Sequence, residues 1–192
     1  MSEADRRSID SILAFHSAPT LLGVKCANLI SLDLNEKTMS EYLREFSDKL
    51  SRSGFRAKQL CRCRKRMLVF IWNERMLTAW LGMPKVRELL SEYGYSPEMS
   101  TEEKLERLSE RISCDSFPHE IGAFLGYPVG DIRGFISNRG RNSLLCGYWK
   151  VYENAEKAQR TFEKYDRCRI ILFDRINRGL DLFQAISKEE DI

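Results

Sequence analysis

Hydrophobic and polar positions along the first half of the chain alternate between a helical and a strand period. Residues 38–51 put Met39, Tyr42, Leu43, Phe46 and Leu50 on one face, the three-and-four spacing of an amphipathic helix. Gly54 follows as its stop. Residues 5–15 carry Ile9, Ile12 and Leu13 on a similar stripe, ended at Ser17-Ala18-Pro19 because proline disfavours helix at the residue before it. Residues 22–32 are apolar or small and predict a buried strand. Phe55–Cys63 alternates basic with less polar residues, and 67–72 is a short apolar run. Together they predict two adjacent strands, although no Asn-Gly or Asp-Gly turn joins them.

The second half reads mainly as helix. Asn73 caps a helix to Leu81, Gly82 ends it, and Pro84 opens the next, over 85–93. Ser100-Thr101-Glu102-Glu103 is a capping box, in which hydroxyl and carboxylate satisfy each other's orphan amides, and it starts a helix to about Ser113. Residues 117–138 read as two short helices, and 144–152 as a last strand. Residues 154–178 form a long helix with Ala155, Ala158, Phe162, Tyr165, Ile170, Leu172, Phe173 and Ile176 near helical period. Gly179 breaks it before a short tail helix, and the charged residues 188–192 are expected to fray. No repeat, low-complexity tract or linker divides the chain. The pattern predicts one α+β domain over residues 1–192, rich in helix, with a small sheet of about four strands.

Composition narrows the classes. With 43% hydrophobic and 31% charged residues, the 192-residue chain has the balance of a globular protein. A net charge of +3 is too mild to imply nucleic-acid or membrane binding, and the apolar runs are too short to span a bilayer. Met-Ser-Glu-Ala-Asp-Arg-Arg at the start has no signal-peptide core behind it, so a cytoplasmic location is expected. The six cysteines are then free thiols, with Cys26 and Cys168 packing as small hydrophobes. Cys61-Arg62-Cys63 is the one close pair. Zinc would need two more ligands at short spacing, which the sequence does not supply, so no metal site is expected. Basic neighbours would lower a thiol pKa, which keeps Cys63 a candidate nucleophile.

The stretch Phe117-Pro118-His119-Glu120-Ile121-Gly122-Ala123-Phe124-Leu125-Gly126-Tyr127-Pro128 packs unusual demands on geometry into a short run. Gly147-Tyr148-Trp149-Lys150-Val151-Tyr152 is a second such motif. With Ala18-Pro19-Thr20-Leu21-Leu22-Gly23-Val24-Lys25 upstream and Ala158, Phe162, Tyr165 and Cys168 downstream, the chain resembles the bacterial family called domain of unknown function 3793. The resemblance covers most of the chain. It implies an intracellular bacterial protein and gives no activity, cofactor or catalytic residue to carry over.

Chemistry must therefore be argued from the residues. Pro118 suits a first helical position, which would put His119 and Glu120 in a first turn whose amides hold an anion or whose imidazole moves a proton. The plainer reading is that Glu120 offsets the helix dipole and His119 packs on Phe117. Gly122 and Gly126, four apart, would share a helix face and admit a close backbone or ligand. On a strand, Tyr148, Lys150 and Tyr152 share one face, where the lysine could close on an anionic or planar ligand. The same alternation puts Arg56, Lys58, Arg62 and Arg64 on one face of a basic strand, which serves a phosphate-bearing ligand or simply guards a sheet edge.

The catalytic candidates are thus His119, Glu120 and Lys150, and the ligand-binding candidates His119, Gly122, Tyr148, Lys150, Tyr152, Arg62 and Arg64. The favoured function is a small-ligand or anionic-cofactor binding domain with its site at the two motifs, open to enzymatic chemistry, with no particular cofactor implied. The alternative is a module without chemistry: a protein adaptor, or a helix-turn-helix-like DNA binder through residues 119–141. In the DNA reading Arg139 and Arg141 would meet phosphate, but of the reachable positions of the candidate recognition helix, Val129, Gly130, Asp131, Arg133 and Gly134, only Arg133 could read a base edge and Asp131 would repel the backbone.

Overall fold

The computed structural model describes residues 1–32, 36–63, 66–112 and 117–187, with positions 36, 62, 63 and 66 described by backbone alone. Helices carry 60% of the chain and strands 14%, which makes the fold α+β and rich in helix. Residue contacts divide it into two compact units, Met1–Met76 with Lys164–Ile192, and Leu77–Glu163.

The first unit contains α1 (Glu3–His16), α2 (Ala18–Leu21), β1 (Ala27–Leu32), α3 (Glu36–Leu50), a 3-10 turn (Ser51–Ser53), β2 (Phe55–Cys63) and β3 (Arg66–Asn73). The three strands pair antiparallel in the order β1-β3-β2. Helix α1 begins at a capping box between Ser2 and Asp5. Ile9 and Leu13 of α1 pack with Met39, Tyr42 and Phe46 of α3 and with Val69 and Ile71 of β3. A carboxylate is buried in this core: Asp10 Oδ1 accepts a 2.6 Å bond from the Tyr42 hydroxyl and Oδ2 a 3.3 Å bond from Leu182 N–H. Burial pushes the Asp10 carboxyl up, against the opposing pull of the Tyr42 hydrogen bond.

Two expectations change here. The strand expected over 22–32 begins only at Ala27, because Pro19 sits in a helical turn whose carbonyl accepts both Val24 N–H and Lys25 N–H, with Gly23 at φ +72°. The basic strand does not keep one face. A register shift between Gln59 and Cys61 puts Lys58 opposite Phe70 but Arg62 opposite Met67, so positions 58 and 62 fall on opposite parities of the pleat. Arg64, Cys114 and the tail 188–192 lie outside the described residues, as do the side chains of Arg62 and Cys63.

The second unit holds the end of α4 (Glu74–Leu81), then α5 (Pro84–Ser91), α6 (Thr101–Arg111), α7 (Ile121–Phe124), α8 (Val129–Ser137), β4 (Leu145–Cys146), β5 (Lys150–Val151) and the start of α9 (Ala155–Asn177). A last helix, α10 (Leu182–Ser187), belongs to the first unit. The expected caps form: Asn73 Oδ1 accepts Met76 N–H, and Ser100 and Glu103 close a capping box. The expected last strand is instead a two-stranded ribbon that reverses at Gly147-Tyr148-Trp149. Its inner side packs on Ala158 and Phe162 of α9 through Val151. The strands thus fall into a three-stranded sheet and a separate ribbon. Among the described residues, no helix is long and apolar enough to cross a membrane.

Candidate functional site

Pro118 does not start a helix. The chain turns through Pro118, His119 and Glu120, and α7 begins at Ile121 and lasts four residues. Ile121 N–H donates to Pro118 O, Gly122 N–H to His119 O and Ala123 N–H to Glu120 O. The amides of Ile121, Gly122 and Ala123 are therefore consumed by the turn itself. Gly126 lies beyond α7 at φ +74°, so it shares no helix face with Gly122. A side chain at Gly122 would meet Ile132 Cγ1 at 3.0 Å, so this glycine lets α7 lie directly on α8.

Helix α8 is latched to the ribbon by one carboxylate. Asp131 is buried, its Oδ2 accepting Trp149 Nε1–H at 2.7 Å and its Oδ1 accepting Tyr152 N–H at 2.7 Å and Glu153 N–H at 3.1 Å. Trp149 stacks on Tyr127 with ring centroids 5.2 Å apart and meets Phe162 edge-on at 4.6 Å. The Tyr127 hydroxyl donates to Tyr148 O at 3.1 Å, and burial pushes that phenol up to about 12. The ribbon is held in place by this aromatic stack, the Asp131 bonds and its apolar floor.

Between the His119 turn, α8 and the ribbon lies a cavity of about 430 Å³. Phe117, His119, Ile121, Gly122, Tyr127, Asp131, Ile132, Phe135, Cys146, Gly147, Trp149 and Lys150 are among the residues that line it. Its surface is mostly apolar, with rings predominating. The His119 ring meets Phe135 edge-on at 5.7 Å. Lys150 Nζ donates to Gly140 O at 2.6 Å and sits 6.0 Å from the Phe135 ring centre. His119, Gly122 and Lys150 are thus brought together.

Other candidates are placed elsewhere. Glu120 is fully buried, its Oε1 in an ion pair with Arg111 and 3.4 Å from the Tyr95 hydroxyl, and its Oε2 has no hydrogen-bond partner among the described residues. It does not share the cavity with His119. Tyr148 packs on Phe162 at 5.5 Å, and Tyr152 packs over Gly134 with its hydroxyl buried and unbonded. Neither lines the cavity, because the ribbon reverses where a continuous strand was expected. Arg133 forms an ion pair with Glu92, which occupies the one side chain suited to reading a base edge. Asp131, Phe135 and Tyr127 were not expected at a ligand site. A single buried Asp in a candidate recognition helix was the available signal for the latch.

A second cavity of about 330 Å³ lies by the start of α6, with Arg87 and Lys104 in its wall. Lys104 Nζ donates to Met99 O, and the amide of Glu103 is already taken by Ser100. Among the described residues no group of three His, Cys, Asp or Glu could hold a metal ion.

The family described as "Protein of unknown function (DUF3793)" matches residues 13–186. No curated protein and no solved structure matches the chain.

Proposed function

We propose that this chain, which belongs to the DUF3793 family, binds a small organic molecule in the cavity between the His119 turn and the Lys150 ribbon. The observation that carries the reading is the cavity itself. About 430 Å³ lies in the range of small-molecule sites, and apolar rings line it with few polar groups. Two sequence motifs far apart in the chain meet there, held by the Asp131 latch. The wall belongs to short elements fixed by buried contacts, so the hollow is formed before any ligand arrives and little ordering entropy opposes binding. The reading stops at binding, since Glu120 is engaged by Arg111 away from His119.

Amide-resolved NMR of the whole chain with a library of small organic molecules tests this. Binders should move the amides of Gly122, Gly147 and Lys150 together. Shifts confined to the second cavity, by Arg87 and Lys104, or absent from the library altogether would remove it.

A further inference from the structure

We propose that the ligand of this cavity is an aromatic carboxylate, with its ring among Phe117, Phe135 and Trp149 and its acid group on the Lys150 ammonium; this rests on the binding reading above. Two charged side chains stand in the wall, Asp131 and Lys150. The Asp131 carboxylate is committed to the latch, both its oxygens already accepting bonds, three in all. Lys150 is different. Its ammonium has three donors, and the structure engages it with one neutral acceptor, Gly140 O. Among the described residues no carboxylate pairs with it. A molecule that fills the hollow strips water from this ammonium, which is costly unless the molecule brings a negative charge. One cation suits a monoanion; a phosphate dianion calls for the fork of an arginine or several donors.

The remaining wall selects the body of the molecule. Rings of Phe117, Tyr127, Phe135 and Trp149 and the His119 imidazole outnumber the aliphatic side chains Pro118, Ile121 and Ile132. Rings favour edge and offset-face contact with another ring beyond the area buried. Gly122 and Gly147 bring backbone into the wall between the rings.

Three probes matched in size separate the parts of the proposal: naphthoate, naphthamide and undecanoate, titrated into the full chain and followed at the Gly147 and Lys150 amides. Naphthoate should bind at least about tenfold more tightly than either of the others, the worth of one hydrogen bond to a charged group or of ring contact. Lys150→Met should bring naphthoate down to the naphthamide level, and Lys150→Arg should hold it within about threefold of the parent. Added salt should weaken naphthoate and leave naphthamide unchanged, a readout that needs no variant. Equal binding of acid and amide, or undecanoate matching naphthoate, overturns the aromatic carboxylate and leaves the cavity reading standing. If none of the three moves these amides while other library members do, the ligand class is wrong; if nothing in any library moves them, both readings fall.

Discussion

Gly134 and Gly130 stand one helical turn apart on α8, yet their neighbours differ in kind. A Cβ at Gly134 would fall 2.5 Å from Tyr152 Cβ, next to backbone that cannot swing aside. A Cβ at Gly130 would fall on the carboxylate of Glu153, the free end of an exposed side chain. Glycine to alanine inside a helix ordinarily gains up to about 1 kcal/mol. Gly130→Ala should keep most of that gain. Gly134→Ala should reverse it and cost about 1–3 kcal/mol through overpacking, and urea unfolding of the two variants side by side should show opposite shifts of midpoint. Neither outcome was legible in the sequence, where both glycines read as surface positions of a recognition helix. Their partners lie on the ribbon, and no local period announces a contact across such a loop. Gly122 was legible, because a glycine in a tight apolar run calls for close approach. The carboxylate of Glu120 was misplaced for a related reason: adjacency to His119 in sequence says nothing about direction, and the turn sends the two side chains apart.

Elements long enough to show a period were read correctly. Helices α3, α6 and α9 each span several turns, so apolar stripes and caps agree. A four-residue helix such as α7 has no period to find, and a two-residue strand such as β4 has no alternation. The ribbon was taken for one strand because Tyr148 and Trp149 resemble any strand pair until the turn is known to run through them. Asp131 latches the ribbon beside the aromatic stack and the apolar floor, and the structure sets the outcome of changing it. Asp131→Asn keeps one oxygen for the amides of Tyr152 and Glu153 but turns an N–H₂ toward the Trp149 indole N–H. The indole hydrogen should then exchange faster with solvent while the two backbone amides stay protected, at a cost of about 1–3 kcal/mol for the unsatisfied donor. Unchanged indole exchange would mean the latch is not made at that bond.

The α+β class followed from element types, and the division between the two units falls within α4 and within α9. Stability of the whole chain should carry a signature of one buried pair. Lys25 is 5% exposed, 5.8 Å from the Tyr165 ring, and burial pushes its ammonium down to about 8; burial pushes the neighbouring Cys26 thiol up to about 11. Below pH 8 the lysine is charged in both states, and the fold bears the full cost of hiding it. As pH rises from about 8 toward 10.5, the folded chain loses the proton first and stability rises. Between about 9 and 11 the thiol acts in reverse: the unfolded chain ionises first and stability falls. The net effect should be a rise from pH 8 to 9 that flattens above. Urea midpoints across this range should show it, Lys25→Met should abolish the rise and add roughly 1–3 kcal/mol at pH 7, and Cys26→Ala should let the rise continue above 9. A flat profile in the parent chain would contradict the burial of Lys25.

The His119 imidazole makes no hydrogen bond with any described side chain or backbone group, and the ring it meets among the described residues is that of Phe135. In most folded chains a carbonyl or carboxylate decides which imidazole nitrogen keeps its hydrogen. Here that decision passes to solvent, or to a guest if the proposed binding holds. The ring's tautomer would then be an occupancy gauge written into the protein, readable from its two nitrogen-15 resonances without any attached label.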